Sequence, residues 1–322
     1  MAVGPSGKEK TMKYTEKRGA TLPLFTLGTV QLGMNYGLGD FTEKPSEEYA
    51  HSMLTRAMEL GVTALDTANN YGDSERVIGS WIAKGDLPKK PYVITKIAPF
   101  DHSSEAALRK EMTRQTDACL KTLGVEKIDM LMIHNYNDYI KSKDIVRDMM
   151  ETFKREGKID KTAISVYSSD DYRVVAESGF DAVQIPINIF DQEKIEDGSI
   201  DALHDAGMIV FARSVFLQGL VFMTRETLPK EMSFCLPYLE RMWELSKKFD
   251  LSPDALAASF VLSIPAIDSL VLGCQRLDQL EANCKLIDRT RQLTDEEMSL
   301  VRDAFLNIDP RVINPRLWFN HT

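Results

Sequence analysis

YVITKIAPFDHSSEAALRKEMTRQTDACLKTLGVEKIDMLMIH, residues 92–134, decides the fold. Two apolar runs, YVITKI (92–97) and IDMLMIH (128–134), flank a stretch at 104–123 with helical periodicity. Runs that are continuous rather than alternating belong to strands buried on both faces, and a helix between two of them makes a parallel crossover unit. The unit repeats outward in both directions. Upstream lie LFTLGTV (24–30) with a helix over 46–61, then TALDTA (63–68) with a helix over 75–83. In the first of these helices Leu54, Ala57, Met58 and Gly61 keep the spacing of one buried face. Downstream the pattern gives a helix over 144–156, KTAISV (161–166) with 169–178, AVQIPI (182–187) with 198–206, and MIVFARS (208–214). A longer excursion with helical stretches near 237–249 and 253–263 leads to SLVLG (269–273) and a helix near 277–287.

Eight strands alternating with helices predict an α/β protein, a single (β/α)8 TIM barrel with a C-terminal extension. An open doubly wound sheet gives the same local signal. That alternative wants GxGxxG after the first strand, and GTVQLGMNYG (28–37) spaces its glycines differently. The predicted organisation is a disordered tail over residues 1–11 and one barrel domain over 12–322. Residues 295–322 read as a final helix and an extension across the barrel.

The 322 residues suit a barrel of about 250 enlarged by insertions. A net charge of −9 argues against nucleic acid or an anionic membrane as main partner, since both want a basic surface. Cys119, Cys235, Cys274 and Cys284 show no CxxC spacing and read as reduced thiols. The N-terminal stretch lacks an apolar signal-peptide core, and no apolar run approaches the ~20 residues of a membrane span. These features predict a cytoplasmic enzyme acting on a small molecule; oligomeric state is not legible.

In a barrel, reactive groups sit at the C-terminal strand ends. Asp66 ends the second strand, Lys96 the third and His134 the fourth, with Tyr71 in the loop after the second. Reducing a carbonyl takes a hydride donor and an acid for the developing alkoxide. A phenol titrates near ~10, and an ammonium beside it would lower that value. Lys96 can play that part, Asp66 can hold the ammonium, and His134 can orient the carbonyl, neutral or as an imidazolium. No metal is required.

These residues lie in LDTANNYGDSE (65–75), VITKI (93–97) and LMIHN (131–135), which resemble the three signature segments of the aldo-keto reductases. The resemblance runs from about residue 12 to about 290. It implies a catalytic tetrad of Asp66, Tyr71, Lys96 and His134, with Tyr71 as the general acid, and a nicotinamide cofactor lying across the barrel mouth without a Rossmann unit. By the same resemblance Gly28, Thr29 and Val30 lie near the nicotinamide, and Ser165 and Gln184 hold its carboxamide. Val166, in AISVYSS (163–169), stands where the family usually has asparagine. In ARSVFLQGL (212–220) Arg213 takes the place of a stacking aromatic, and Ser214, Leu217 and Gly219 would line the pyrophosphate. This RSVFLQGL form is similar to a bacterial subgroup.

LGCQRLDQLEANC (272–284) resembles the adenosine segment. It implies that Gly273, Glu281 and Asn283 contact the cofactor there, with Cys274, Arg276 and Gln279 around a 2′-phosphate. Arg276 favours NADPH, with NADH possible, because a guanidinium matches phosphate bidentately. Candidate substrate residues are Asn35, Tyr36, Asn135 and Trp318, beside Met34 and Tyr136; Trp318 could cap the pocket or pack on the barrel's outside. The polar set Asn35, Asn135, Asn188 and Arg213 points to a hydroxylated or sugar-like carbonyl as substrate. Two alternatives accompany this reading. One is the same barrel oxidising an alcohol or sugar; the other is a regulatory subunit like the aldo-keto-reductase-like β-subunits of potassium channels.

Overall fold

The eight apolar runs close into a barrel in the computed structural model, which describes residues 12–36, 43–85, 87 and 89–318. The expected tail over 1–11 lies outside the described residues. Ahead of the barrel, β1 (Tyr14–Lys17) and β2 (Ala20–Pro23) form an antiparallel hairpin that the sequence reading did not foresee. The barrel strands are β3 (Phe25–Gly28), β4 (Ala64–Asp66), β5 (Tyr92–Ile97) and β6 (Ile128–Ile133), then β7 (Ile159–Ser165), β8 (Ala182–Pro186), β9 (Ile209–Arg213) and β10 (Ser269–Gly273). All eight neighbours pair in parallel, and β10 closes on β3.

Two cores result, because successive strand residues face opposite ways. Ala64, Ile94, Met130, Met132, Ala163, Ala182, Ile209 and Phe211 fill the inside together with Ala20 and Leu22 of β2. The hairpin therefore plugs the barrel interior. Their neighbours Leu65, Val93, Leu131, Ile133, Ile164, Val183 and Val210 face outward into a larger core shared with the helices.

The outer layer begins with α1 (Val30–Gly33), α2 (Glu47–Glu59), α3 (Ser74–Ile82), α4 (Glu105–Leu123), α5 (Tyr136–Ile140) and α6 (Lys143–Arg155). It continues with α7 (Tyr172–Ala176), α8 (Glu193–Glu196), α9 (Ser199–Asp205), α10 (Leu236–Lys248) and α11 (Pro253–Leu262), then α12 (Leu277–Arg289), α13 (Asp295–Ala304) and α14 (Pro310–Ile313). Start signals are local. Ser46 and Ser104 accept the N–H of Tyr49 and Ala107, and Thr294 with Glu297 makes a reciprocal cap. The stretch expected as a helix over 169–178 shortens to α7, because the Asp171 carboxylate caps the N–H groups of Arg173 and Val174. No described helix is long and apolar enough to cross a membrane.

The C-terminal extension packs on α10 and the 3-10 segment before it. The Asp309 N–H donates to the Tyr238 hydroxyl at 3.0 Å, and the Arg311 guanidinium lies 4.4 Å from the Phe234 ring centroid. Trp318 has no exposed surface and donates its indole N–H to the Arg311 carbonyl at 2.8 Å. A ring so enclosed offers no surface to a ligand arriving from solvent. Of its two expected places, Trp318 takes the packed one.

Candidate active site

Strand alternation carries the inner core up to a polar top layer. Two residues beyond the inward Ala64, Ile94, Met132, Ala163, Ala182 and Phe211 stand Asp66, Lys96, His134, Ser165, Gln184 and Arg213. The apolar lower layers explain why these polar groups cluster at one end. On β3 and β10 the same layer holds Gly28 and Gly273, paired in register, so one side of the ring has no side chains. A Cβ on Gly28 would meet Val271 at 3.4 Å, and one on Gly273 would press on the Gln31 amide at 2.5 Å.

Lys96 and Asp66 are buried and bound together. The ammonium donates to both Asp66 carboxylate oxygens at 2.7 Å and to the Thr67 carbonyl at 2.9 Å, which uses all three of its protons. Gln184 Nε2 donates to Asp66 Oδ1 at 2.8 Å, so this amide is tied to the ion pair. The Lys96 Nζ lies 4.9 Å from the centroid of the Tyr71 ring, and the His134 ring stands edge-on to Tyr71 at 5.7 Å. The four residues of the predicted tetrad are thus neighbours.

Electrostatics departs from expectation at Tyr71 and selects between two expected states at His134. Burial pushes the Tyr71 phenol above its ordinary value, and Lys96, which lowers it, does not win. Burial, then the charges of Lys96 and Arg213, bring His134 down to about 3. Its imidazole is neutral at physiological pH, which removes the imidazolium alternative. His134 Nδ1 is buried without a hydrogen-bond partner among the described residues.

Tyr71 is placed by contacts that the sequence reading passed over. The Asp73 N–H donates to the Gly33 carbonyl at 3.0 Å, and a Cβ on Gly33 would run into the Tyr71 carbonyl oxygen and the Ser74 N–H. Ser74 Oγ accepts from Thr67 Oγ1 at 2.9 Å and shares a 2.8 Å hydrogen bond with Thr29 Oγ1. Thr29 Oγ1 also donates to the Asp66 carbonyl at 2.9 Å. Thr29 is buried and braces β4 with its side chain; Val30 opens α1 beside it. Glycines and small hydroxyls at loop positions, in GMNYG and GDSE, were the available signal.

Other predicted positions are dispersed. Ser165 is buried in the top layer, while Val166 turns outward into the helical core, an apolar residue in an apolar place. Arg213 donates to the Val166 carbonyl at 2.9 Å. After β9 the backbone takes positive φ at Ser214, Leu217, Gln218 and Gly219, three of them residues that rarely do so. Leu217 itself is buried. At the start of α12 the Arg276 guanidinium grips Asp278 through two bonds, at 2.8 and 2.6 Å, and Gln279 Oε1 accepts the Gln275 N–H. Glu281 turns to α2 and accepts from Arg56 at 3.1 Å; Asn283 is half-buried. Asn35 and Tyr36 are exposed, with Asn35 accepting the Lys44 N–H, and Asn135 donates to Asp138 at 3.2 Å.

The model of the aldo/keto reductase family matches residues 25–305. An L-glyceraldehyde 3-phosphate reductase of Escherichia coli is 23% identical, over 92% of this chain and 94% of its own. A putative voltage-gated potassium channel subunit beta of Schizosaccharomyces pombe is 22% identical, over 96% of this chain and 97% of its own. Among solved structures, the holo form of an aldo-keto reductase from Bacillus halodurans superposes with a TM-score of 0.75 at 20% identity, covering 94% of this chain and all of that one. With a family model spanning most of the chain and a closed parallel barrel beneath it, the protein belongs to the aldo/keto reductase family and is an oxidoreductase of that class.

Proposed function

We propose that this barrel, a single domain over residues 12–322, reduces an aldehyde or ketone to an alcohol with NAD(P)H, Tyr71 supplying the proton. The observation that carries this reading is the grouping of Tyr71 with the buried Lys96–Asp66 pair and the neutral His134. The nicotinamide, when bound, supplies hydride to the carbonyl carbon. Tyr71 Oη then gives its proton to the carbonyl oxygen, leaving a phenolate that the adjacent ammonium stabilises. Asp66 fixes Lys96, and His134 orients the carbonyl oxygen. A phenol held above its ordinary value stays protonated throughout neutral pH, as a donor in the reductive direction must. Oxidation starts from the phenolate, which burial disfavours, and this makes the dehydrogenase reading second.

Beside the tetrad the Gln31 amide lies against Gly273, and its Oε1 is buried without a hydrogen-bond partner among the described residues, so the residues present offer polar groups that fit a nicotinamide cofactor. Ser165, Gln184 and Arg213 would hold the ring end, and the strained turn with Ser214, Leu217 and Gly219 the pyrophosphate. The adenosine would lie toward Arg276, Gln279, Glu281 and Asn283. Arg276 supports NADPH. Its grip on Asp278 is one that a phosphate must displace, so NADH serves as well. Asn35, Tyr36 and Asn135 would border the substrate. A relative named for glyceraldehyde 3-phosphate is in keeping with a hydroxylated carbonyl. Four free cysteines, three of them buried, suit the reducing cytoplasm.

The test is NADPH oxidation with 4-nitrobenzaldehyde by wild type and Tyr71→Phe. The variant is expected to lose at least about a hundredfold in kcat, the low end for a general acid, with cofactor affinity kept. Equal turnover in both would sink Tyr71 as the acid. Tight NADPH binding without turnover of any aldehyde would favour the regulatory-subunit reading, toward which the fission-yeast relative points.

A further inference from the structure

Several amides near the barrel mouth are tied to the protein. Gln184 Nε2 donates to Asp66 at 2.8 Å, Asn135 Nδ2 donates to Asp138 at 3.2 Å, and Asn188 Oδ1 accepts the N–H groups of Phe190 and Asp191. Gln31 is different. It is half-buried, and its Oε1 is fully enclosed without a hydrogen-bond partner among the described residues. It lies in α1 between Thr29, whose hydroxyl donates to the Asp66 carbonyl at 2.9 Å, and Gly33, which abuts the Tyr71–Ser74 turn. The amide reaches over to β10, where a Cβ on Gly273 would meet Oε1 at 2.5 Å and Nε2 at 2.7 Å. Gly273 nonetheless stays exposed, so a ligand arriving at the mouth can come up to this spot.

A buried carbonyl oxygen without a donor is unfavourable, and folded proteins answer nearly all such groups. What Gln31 asks of a ligand is therefore an N–H or an O–H. That condition discriminates within a nicotinamide dinucleotide, because its phosphates offer acceptors. The donors left are the carboxamide N–H groups, the adenine amine and the ribose hydroxyls. Ser165, proposed above for the ring end, closes β7, which stands opposite β3 in the closed strand order. A carboxamide held there points its donors away from α1. The adenine would lie toward α12, whereas Gln31 follows directly on the segment bonded to Asp66 and so belongs to the reacting end.

We propose that Gln31 accepts a hydroxyl of the nicotinamide ribose through Oε1 and is thereby a positioning residue for the ring end of the cofactor. This rests on the reductase reading of the same site. A ribose gripped across the mouth from Ser165 would give the ring a second anchor, and rates are sensitive to such alignment. The bond involves no 2′-phosphate, so it serves NADPH and NADH alike.

The experiment titrates wild type and Gln31→Met calorimetrically; methionine keeps the reach of the side chain and removes its hydrogen bonding. The probes are NADP+, its 3-acetylpyridine analogue, which has no carboxamide N–H, and 2′,5′-ADP, which has no nicotinamide ribose. Gln31→Met should weaken NADP+ and the analogue alike by about threefold to tenfold, the worth of one neutral hydrogen bond, and leave 2′,5′-ADP within about twofold. An unchanged third affinity also shows that the variant is folded. A loss with NADP+ that the analogue does not share would give Gln31 to the carboxamide and overturn the proposal. So would a loss shared by 2′,5′-ADP, which places the effect at the adenosine end or in the fold, and so would affinities that stay unchanged for every probe. A wild type that binds NADP+ but reduces no aldehyde would fail the reductase reading and leave the Gln31 comparison standing; one that binds none of the probes would fail both.

Discussion

His134 shows how burial decides a role that residue type leaves open. The sequence offered a histidine at a strand end, able to act neutral or charged; burial, with two cations nearby, brings it down to about 3. The unfolded chain takes up a proton near 6.5 and the folded one does not, so the stabilising balance is complete above about pH 6.5 and is lost as pH falls toward 3. His134 alone should cost about 2 kcal/mol of stability between pH 7 and pH 5. Denaturant titrations at the two pH values should show a smaller loss for His134→Gln than for wild type. A parallel loss in the two proteins would mean that His134 titrates in the fold. The same residue sets the activity profile. With His134 neutral and Tyr71 protonated, the reductive kcat should show no histidine-like step between pH 5 and pH 8.

Strands and helices explain what was legible and what was not. The barrel strands could be read because each is a largely apolar run, and six of them turn polar at the far end, which is what places Asp66, Lys96 and His134. The hairpin β1–β2 was hidden, since YTEK and ATLP are short and mixed in character. The packing of α12 was hidden too: nothing in the sequence pairs Glu281 with Arg56 of α2, from which it accepts a hydrogen bond. Only packing reveals Gly33, whose missing side chain lets α1 rest against the Tyr71–Ser74 turn. Gly33→Ala should push that turn away by about an ångström, and a misplacement of that size can cost about a hundredfold in rate. Steady-state kinetics beside cofactor titration would check it: kcat should fall while the NADPH Kd stays within a few-fold. A wild-type kcat would mean that the turn absorbs the methyl group without moving Tyr71.

Across the whole molecule, function and stability sit at opposite ends of one barrel. The C-terminal end spends its inward positions on polar groups and two glycines, which add little apolar burial. The interior is sealed instead by β2, whose Ala20 and Leu22 join Ile94, Met130 and Phe211 in the inner core. Salt links tie the hairpin down: Lys17 to Asp268 at 3.0 Å and Arg18 to Asp181 at 3.4 Å. The second is partly exposed and contributes little, so the apolar plug is the larger effect. Leu22 is 1% exposed, and Leu22→Ala would leave a cavity where the strands converge. It should cost about 2–5 kcal/mol in urea unfolding, with kcat close to wild type because no reacting group lies near β2. A fall in kcat without loss of stability would mean that the plug is coupled to the mouth through the strands, and the two ends could no longer be treated as separate.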